Sequence, residues 1–278
     1  MSDRLGLIAG AGGLPLEIAQ TVRDRGVLAI AYRGLTDPRL EEVVDELTWQ
    51  TPGAIGTQLE TLRSAGIGEV VLAGKIEKSS LLQAPGSLGL DQRAMDLLAS
   101  LGDKRDAHLL AKLADWLEAE GLKVLSQAQT VPDLVAPRGR LGQVEPPPEC
   151  MADVDRAWRL CRDLADQGIG QSVVVRDGHV IAVEAIEGTD AAIERAGRLS
   201  SGGLVVVKRT GTDHDPRFDL PAVGPTTVET LARARGVCLV VEAGATLVID
   251  RSRMLEMADK EGIAVMGRMP VDGGRGGE

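Results

Sequence analysis

The segment Leu5-Gly6-Leu7-Ile8-Ala9, followed at once by Gly10-Ala11-Gly12-Gly13, constrains the fold more than any other feature of the chain. An apolar run without alternation suits a strand buried on both faces, and the small residues after it tolerate backbone angles that no element interior uses. Pro15 fits the first turn of a helix, where the amide it lacks has no partner to lose. Leu16, Ile18, Ala19 and Val22 give that helix an apolar side, Gly26 ends it, and residues 27–31 read as a second strand. This β-turn-α-β order opens a parallel sheet and sets the fold class as α/β.

The pattern continues with a helix over 55–65 closed by Gly66 and a strand over 69–73. Gly74-Lys75 stands at the carboxyl end of that strand. Ligands bind outside such ends in open parallel sheets, which makes Lys75 a candidate; a plain surface lysine is the other reading. Helices over 92–100 and 106–120 and a short strand at 123–125 complete a Rossmann-like glycine-rich domain, residues 1–131. Residues 132–149 form a Pro/Gly-rich junction, since Glu145-Pro146-Pro147-Pro148-Glu149 cannot sustain a helix.

Residues 150–272 read as a catalytic α/β domain with a mixed sheet. A helix over 153–166 precedes strands 171–176 and 179–184, which flank Asp177-Gly178, a strong hairpin signal. A helix over 190–199, a strand over 204–208 and a helix over 226–235 follow. A second hairpin is expected to pair 237–242 with 246–250 through Ala243-Gly244-Ala245, and 273–278 to be a disordered tail.

Composition removes several function classes. The 278 residues carry 31 Lys and Arg against 41 Asp and Glu, a formal net charge of −10, with one Tyr, one Phe and three Trp. That field and that scarcity of stacking platforms argue against nucleic acid. Cys150, Cys161 and Cys238 are odd in number and lack metal-ligand spacing, as expected of structural thiols in a reducing compartment. No stretch reaches the roughly 20 apolar residues a membrane-spanning helix needs, so a cytoplasmic protein is expected, with peripheral membrane contact left open.

An anionic ligand must then be held locally. Gly10, Gly12, Gly13 and Leu14 could point backbone amides and a helix N-terminus at phosphate; a purely structural tight turn is the alternative. The G-x-G-x-x-G pattern is incomplete because Pro15 fills its sixth position. Tyr32-Arg33 stands where an NAD site wants an acid, so NAD is disfavoured, as is a G-x-x-x-x-G-K-[ST] nucleotide loop.

The denser signal is acidic. Glu184-Ala185-Ile186-Glu187-Gly188-Thr189-Asp190 puts three carboxylates between a strand and a helix. Thr189 or Asp190 could simply cap that helix, but capping does not use all three acids, and converging carboxylates call for a divalent cation. Asp213-His214-Asp215-Pro216-Arg217-Phe218-Asp219 adds acids and an arginine in a loop whose bland reading is a solvated turn, and Lys208 ends a strand nearby in sequence. Mg²⁺, or Mn²⁺, suits these ligands better than Zn²⁺, because His108, His179 and His214 have no zinc spacing.

Five strings carry a resemblance: G-A-G-G-L-P at 10–15, L-A-G-K at 72–75, G-Q-S-V-V-V at 170–175, A-V-E-A-I-E-G-T-D at 182–190 and R-F-D-L-P-A-V-G-P at 217–225. They resemble the UDP-2,3-diacylglucosamine pyrophosphatase family of lipid A synthesis, the type unrelated to metallophosphoesterases, across nearly the whole chain. The resemblance implies a Mg²⁺-dependent homodimeric enzyme that yields UMP and 2,3-diacylglucosamine 1-phosphate by attack of water on the sugar-side phosphorus. It implies Asp219, Asp190, Glu187, Glu184 and Lys208 as catalytic residues, with Asp219, Asp190 and Glu187 on the metal. Gly10, Gly12, Gly13, Leu14, Gly74, Lys75, Gln171, Thr189, Asp215 and Arg217 would bind substrate.

Departures from the family pattern are Gly211-Thr212, where Lys-Pro is usual, Pro216 in place of a common methionine, and Lys104-Arg105-Asp106. A transferase working on the same diphosphate and a non-catalytic UDP-lipid binder are the alternative functions.

Overall fold

The computed structural model describes residues 4–75, 89–100, 106–212, 214, 215, 217, 218 and 220–270, without the side chains of 106–108. The chain divides into two compact units. The first is 1–133 together with 214–220, and the second is 134–213 together with 221–278.

The first unit is built on a five-stranded sheet of order β3-β2-β1-β4-β5. Its strands are β1 (Leu5–Ala9), β2 (Val27–Tyr32), β3 (Glu46–Gln50), β4 (Glu69–Ala73) and β5 (Lys123–Val124), all pairing in parallel. Every residue of β1 is buried, as its central place and unbroken apolar run require. Among the described residues it also carries helices α1 (Leu14–Thr21), α2 (Ile55–Ser64), α3 (Gln92–Ala99), α4 (Asp106–Ala119) and α5 (Gln127–Thr130). Leu28, Ile30, Leu59, Leu62, Leu72 and Leu117 form its core on one face of the sheet. The half-exposed edge strand β3 has no counterpart in the expected elements.

The second unit carries a mixed sheet of order β6-β13-β11-β9-β7-β8. Its strands are β6 (Gly139–Arg140), β7 (Ser172–Arg176), β8 (His179–Val183), β9 (Leu204–Lys208), β11 (Gly236–Glu242) and β13 (Ala264–Arg268). Strands β9, β11 and β13 are parallel, while β7, β8 and β6 join antiparallel. Successive residues of a strand face opposite sides, and here both sides are covered. Val173, Val175, Val205, Val207, Cys238 and Val240 pack on α6 (Met151–Asp166) through Val154, Ala157 and Cys161. Val174, Leu204, Val206, Leu239, Val241 and Val265 pack on α7 (Thr189–Leu199), α8 (Pro225–Arg233) and α9 (Arg251–Lys260).

The Asp177-Gly178 hairpin forms, with Asp177 at φ 49° and Gly178 at φ 74° as its turn requires. The second expected hairpin does not. Both edges of β11 are occupied, by β9 and β13, so the following segment has no edge to pair with. It forms β12 (Leu247–Val248) instead, parallel to β10 (Ala222–Val223) in a separate two-stranded sheet.

The Pro/Gly-rich stretch is also more than a junction. Ala136 N donates to Thr246 O, Leu141 N to Val265 O and Gln143 N to Asp259 Oδ1, so from Leu134 onward its backbone belongs to the second unit. The tail 273–278 lies outside the described residues.

Segment 214–220, expected in the second domain, belongs to the first unit. Phe218, the chain's only phenylalanine, is buried in that unit's core, and the Arg217 guanidinium meets Asp115 and Glu118 of α4, each at 3.0 Å. Asp215 closes a fork on the same guanidinium at 2.7–3.1 Å. Burial works against ionisation of Asp215, but the Arg217 bonds outweigh it and hold the carboxyl below its ordinary range. Such a group stabilises the docked segment above the usual carboxylate pKa, and the contribution is lost as pH falls through the depressed value. Limited proteolysis within 214–220 should therefore be slow at neutral pH and accelerate below about pH 4, and Asp215→Asn should bring the fast cleavage to neutral pH. Unchanged pH dependence in that variant would refute the coupling.

Candidate active site

A polar cluster of the second unit gathers where β8 and β9 end and β7 and α7 begin. Lys208, the last residue of β9, is buried, and its Nζ lies 2.6 Å from Thr189 Oγ1, 3.3 Å from Ser172 Oγ and 3.5 Å from Glu184 Oε2. Ser172 Oγ donates to Thr189 Oγ1 at 3.3 Å, and Thr189 Oγ1 in turn donates to Glu184 Oε2 at 3.1 Å. A desolvated ammonium requires such acceptors, and the Glu184 carboxylate supplies the countercharge. Lys208 thus acts inward. Its side chain is 3% exposed, whereas Glu184, at 12%, is the charged member that reaches the rim.

The backbone around Glu184 is closely fitted. Glu184 N donates to Ser172 O, extending the β7–β8 pairing. Gly170 packs against this point so tightly that a Cβ there would lie 2.1 Å from Glu184 O. Gln171 is half-buried, and its carbonyl accepts from Arg209 N and from the Cys161 thiol, both at 3.0 Å.

Glu187 turns away from this cluster. Arg195 of α7 binds its Oε1 at 2.5 Å and also Val183 O at 2.8 Å, while Ala185 N donates to Glu187 Oε2 at 3.2 Å. Partial burial opposes its charge, but these bonds prevail and hold the Glu187 carboxyl below the usual range. Asp190 lies in the first turn of α7, with Oδ1 buried and without a hydrogen-bond partner.

The expected gathering of acids is therefore divided. Lys208 draws Glu184 inward and Arg195 draws Glu187 aside. Among the described residues, no group of three or more His, Cys, Asp or Glu side chains is arranged to hold a metal. Asp219, the remaining expected ligand, lies outside the described residues, as do Asp213 and Pro216. Neither Thr189 nor Asp190 caps α7: the N-cap is Gly188 at φ 83°, which frees the Thr189 hydroxyl for Lys208.

In the first unit the glycine turn is partly consumed by backbone pairing. Gly10 N donates to Ala73 O, and Ala11 and Lys75 exchange backbone hydrogen bonds at 2.7 and 2.9 Å. Gly10 and Gly74 permit this approach, because a Cβ on either would lie 2.6–2.7 Å from the facing carbonyl oxygen. Those amides are engaged with protein. Gly12 lines open space, Gly13 is the N-cap of α1, and Leu14 begins that helix as a buried residue. Asp215 and Arg217 are brought together on α4, apart from the glycine turn in sequence, with Arg217 engaged by three carboxylates.

Composition and spacing did not single out Ser172, Arg195, Arg209 or Glu242. Glu242 is buried and accepts from Thr210 N at 2.9 Å and Thr210 Oγ1 at 2.8 Å, fixing the chain just beyond Lys208. Arg209 lies over the Trp158 ring at 4.4 Å. The departure at Gly211 has a local reason. A Cβ there would lie 2.8 Å from Asp166 Oδ1, and the same carboxylate receives Thr212 N and Thr212 Oγ1. The three cysteines are buried and free, and burial raises all their thiol pKa values, Cys161 to about 12, which suits packing and not nucleophilic chemistry. No described helix is long and apolar enough to cross a membrane.

Residues 4–134 match the family model described as LpxI N-terminal domain, and residues 137–266 match that described as LpxI C-terminal domain. The chain belongs to the LpxI family. A relative from Caulobacter vibrioides, the UDP-2,3-diacylglucosamine pyrophosphatase LpxI, is 35% identical over 288 residues, covering 97% of this chain and 99% of its own. Among solved structures, the biotin carboxylase subunit of pyruvate carboxylase aligns with a TM-score of 0.23 and 11% identity, over 71% of this chain and 41% of that one. Leucoanthocyanidin reductase with NADPH from Vitis vinifera aligns at 0.28 and 10%, over 96% and 78%. Likenesses of that size carry no argument. The LpxI C-terminal match contains Ser172, Glu184, Thr189, Asp190 and Lys208, and the LpxI N-terminal match contains the glycine turn and Lys75.

Proposed function

We propose that this protein hydrolyses the diphosphate of UDP-2,3-diacylglucosamine to UMP and 2,3-diacylglucosamine 1-phosphate, with water attacking the sugar-side phosphorus. The observation that carries the reading is the match to a LpxI pyrophosphatase over 97% of the chain. The Lys208 cluster supports it, because a carboxylate fixed by a buried cation and the Thr189 hydroxyl is a group preorganised to orient a water.

Mg²⁺ belongs to this reading. Its ligands would be Asp190, whose buried Oδ1 lacks a partner and so suits a cation, together with Asp219, while Glu187 would have to leave Arg195 to join them. When bound, the ion polarises a phosphoryl oxygen and acidifies a coordinated water. Lys208 balances the charge of Glu184, and Thr189, itself bonded by Lys208 and Ser172, donates to its carboxylate. Arg195 keeps the 184–188 loop closed on α7. The two acyl chains of the substrate bring peripheral contact with the membrane that holds it, at roughly 0.8 kcal/mol per buried methylene.

Purified protein with Mg²⁺ and dispersed substrate should release UMP and the diacyl sugar phosphate, and in ¹⁸O-water the label should enter the sugar phosphate. Asp219→Ala and Asp190→Ala should each lower turnover by at least 10²-fold with the fold retained. Absence of products from the wild type overturns the assignment, and label in UMP overturns the site of attack.

A further inference from the structure

A second charged cluster covers the face of the mixed sheet opposite Lys208. Successive residues of a strand face opposite sides, so Lys208 points to α7 while Arg209, the next residue, points to α6. On that side the carboxyl ends of three parallel strands supply Arg209 just beyond β9, Glu242 at the end of β11 and Arg268 at the end of β13. Helix α6 supplies Trp158 and Asp155. The Arg209 guanidinium lies 4.4 Å and that of Arg268 5.1 Å from the Trp158 ring centroid, and Arg268 pairs with Asp155 at 2.6 Å.

Stability does not account for this charged cap. The Arg209 and Glu242 side chains are 8% and 7% exposed, yet Nε and Oε2 stand 3.5 Å apart and Nε has no hydrogen-bond partner. Two charges removed from water and left in that geometry recover little beyond their desolvation, and apolar residues of similar volume hold a core as well. What the carboxylate binds is the chain beyond Lys208. Glu242 Oε2 accepts from Thr210 N at 2.9 Å and from Thr210 Oγ1 at 2.8 Å. Arg209 Nη1 donates to Trp158 O at 3.3 Å, and Arg209 N donates to Gln171 O at 3.0 Å. That backbone bond continues the β7–β9 ladder one step past the Ser172–Lys208 pair. Residues 209 and 210 are thereby tied to α6, to the start of β7 and to the end of β11.

We infer that Arg209 and Glu242 are positioning residues for the reaction: they brace the exit of β9 from the far face of the sheet and so aim the Lys208 ammonium at Thr189 and Glu184. The Lys208 side chain is buried among close-packed neighbours, so a shift of its backbone carries the ammonium with it. The inference rests on the proposed function for the reaction that is served, and on these bonds for the brace itself.

Steady-state kinetics and hydrogen exchange of the full chain test it together. Glu242→Leu, which removes both acceptor oxygens, should lower kcat about tenfold and leave KM within about twofold, the pattern of an interaction felt in the transition state and not in binding. Glu242→Gln keeps an oxygen for Thr210 and should recover most of the rate. Thr210→Val leaves the Arg209 and Glu242 charges paired and should lower kcat severalfold, which keeps the test open if Glu242→Leu fails to fold. Arg268→Met removes the cation bound to Asp155, leaves every bond of residues 209 and 210 in place, and should leave kcat unchanged. Amide exchange over residues 204–212 should quicken about tenfold in Glu242→Leu and Thr210→Val and stay at the wild-type rate in Arg268→Met. Unaltered exchange in Glu242→Leu and Thr210→Val overturns the brace, whatever the turnover. Equal loss of kcat in Arg268→Met and Glu242→Leu overturns the positioning role, since turnover would then follow general stability. Quickened exchange in a protein whose wild type does not hydrolyse the substrate upholds the brace and overturns the proposed reaction instead.

Discussion

Lys208→Met is expected to lose both stability and turnover, through different routes. Removing the ammonium leaves the Glu184 carboxylate 12% exposed with no countercharge at its 3.5 Å position, and leaves Thr189 and Ser172 to rearrange around a methyl group. Breaking a buried pair by deleting one partner costs about 3–5 kcal/mol, far more than an exposed pair would. Denaturant unfolding should show that loss at neutral pH, and product release should fall by roughly 10²- to 10³-fold. The double variant Lys208→Met with Glu184→Gln separates the routes. With the charge gone from both partners, most of the stability should return, while turnover stays low. Full activity in Lys208→Met would remove the cluster from the reaction. A double variant no more stable than the single one would show that the countercharge argument is mistaken.

Gly170→Ala should be nearly as damaging, although it adds one methyl group outside every acidic motif. The added Cβ would sit 2.1 Å from Glu184 O and 2.7 Å from Glu184 C, and backbone cannot swing aside as a flexible side chain does. Either the loop before β7 or the end of β8 must move. Overpacking of this kind costs about 1–3 kcal/mol, and a displacement near 1 Å at a group that orients reactants can lower turnover about 10²-fold. A circular dichroism melt together with the product assay checks both. By contrast, Gly178→Ala meets no atom within 4 Å, so its cost is confined to the positive φ of the hairpin turn. Equal activity of the Gly170 and Gly178 variants would refute the close-fit account.

Elements whose local signals agree with their surroundings were legible in the chain. The first strand, its glycine turn, the Pro15 helix start and the Asp177-Gly178 hairpin all form, because propensity, burial and turn chemistry favour one outcome at each. The 237–250 hairpin failed for a reason no local window contains: β9 and β13 take both edges of β11. The strand β3 carries no clear local signal, because it is a half-exposed edge with a mixed sequence.

The candidate site divides the same way. The 184–190 run identified itself by its density of acids, and Lys208 by its place at a strand end. Their partners did not, since Ser172 reads as an ordinary strand residue and Arg195 as an ordinary helix cation. Trp49 and Arg33 are 16 positions apart and meet because β2 and β3 pair in register, Tyr32 against Gln50.

By itself the chain determined its class, a parallel sheet of apolar runs followed by a mixed one, and its family, which its sequence strings carry. Tertiary structure alone decided which acids stand together. A carboxylate goes to the nearest cation that burial permits, and the positions of Lys208, Arg195 and Arg217 are set by sheet order and helix docking, not by spacing along the chain.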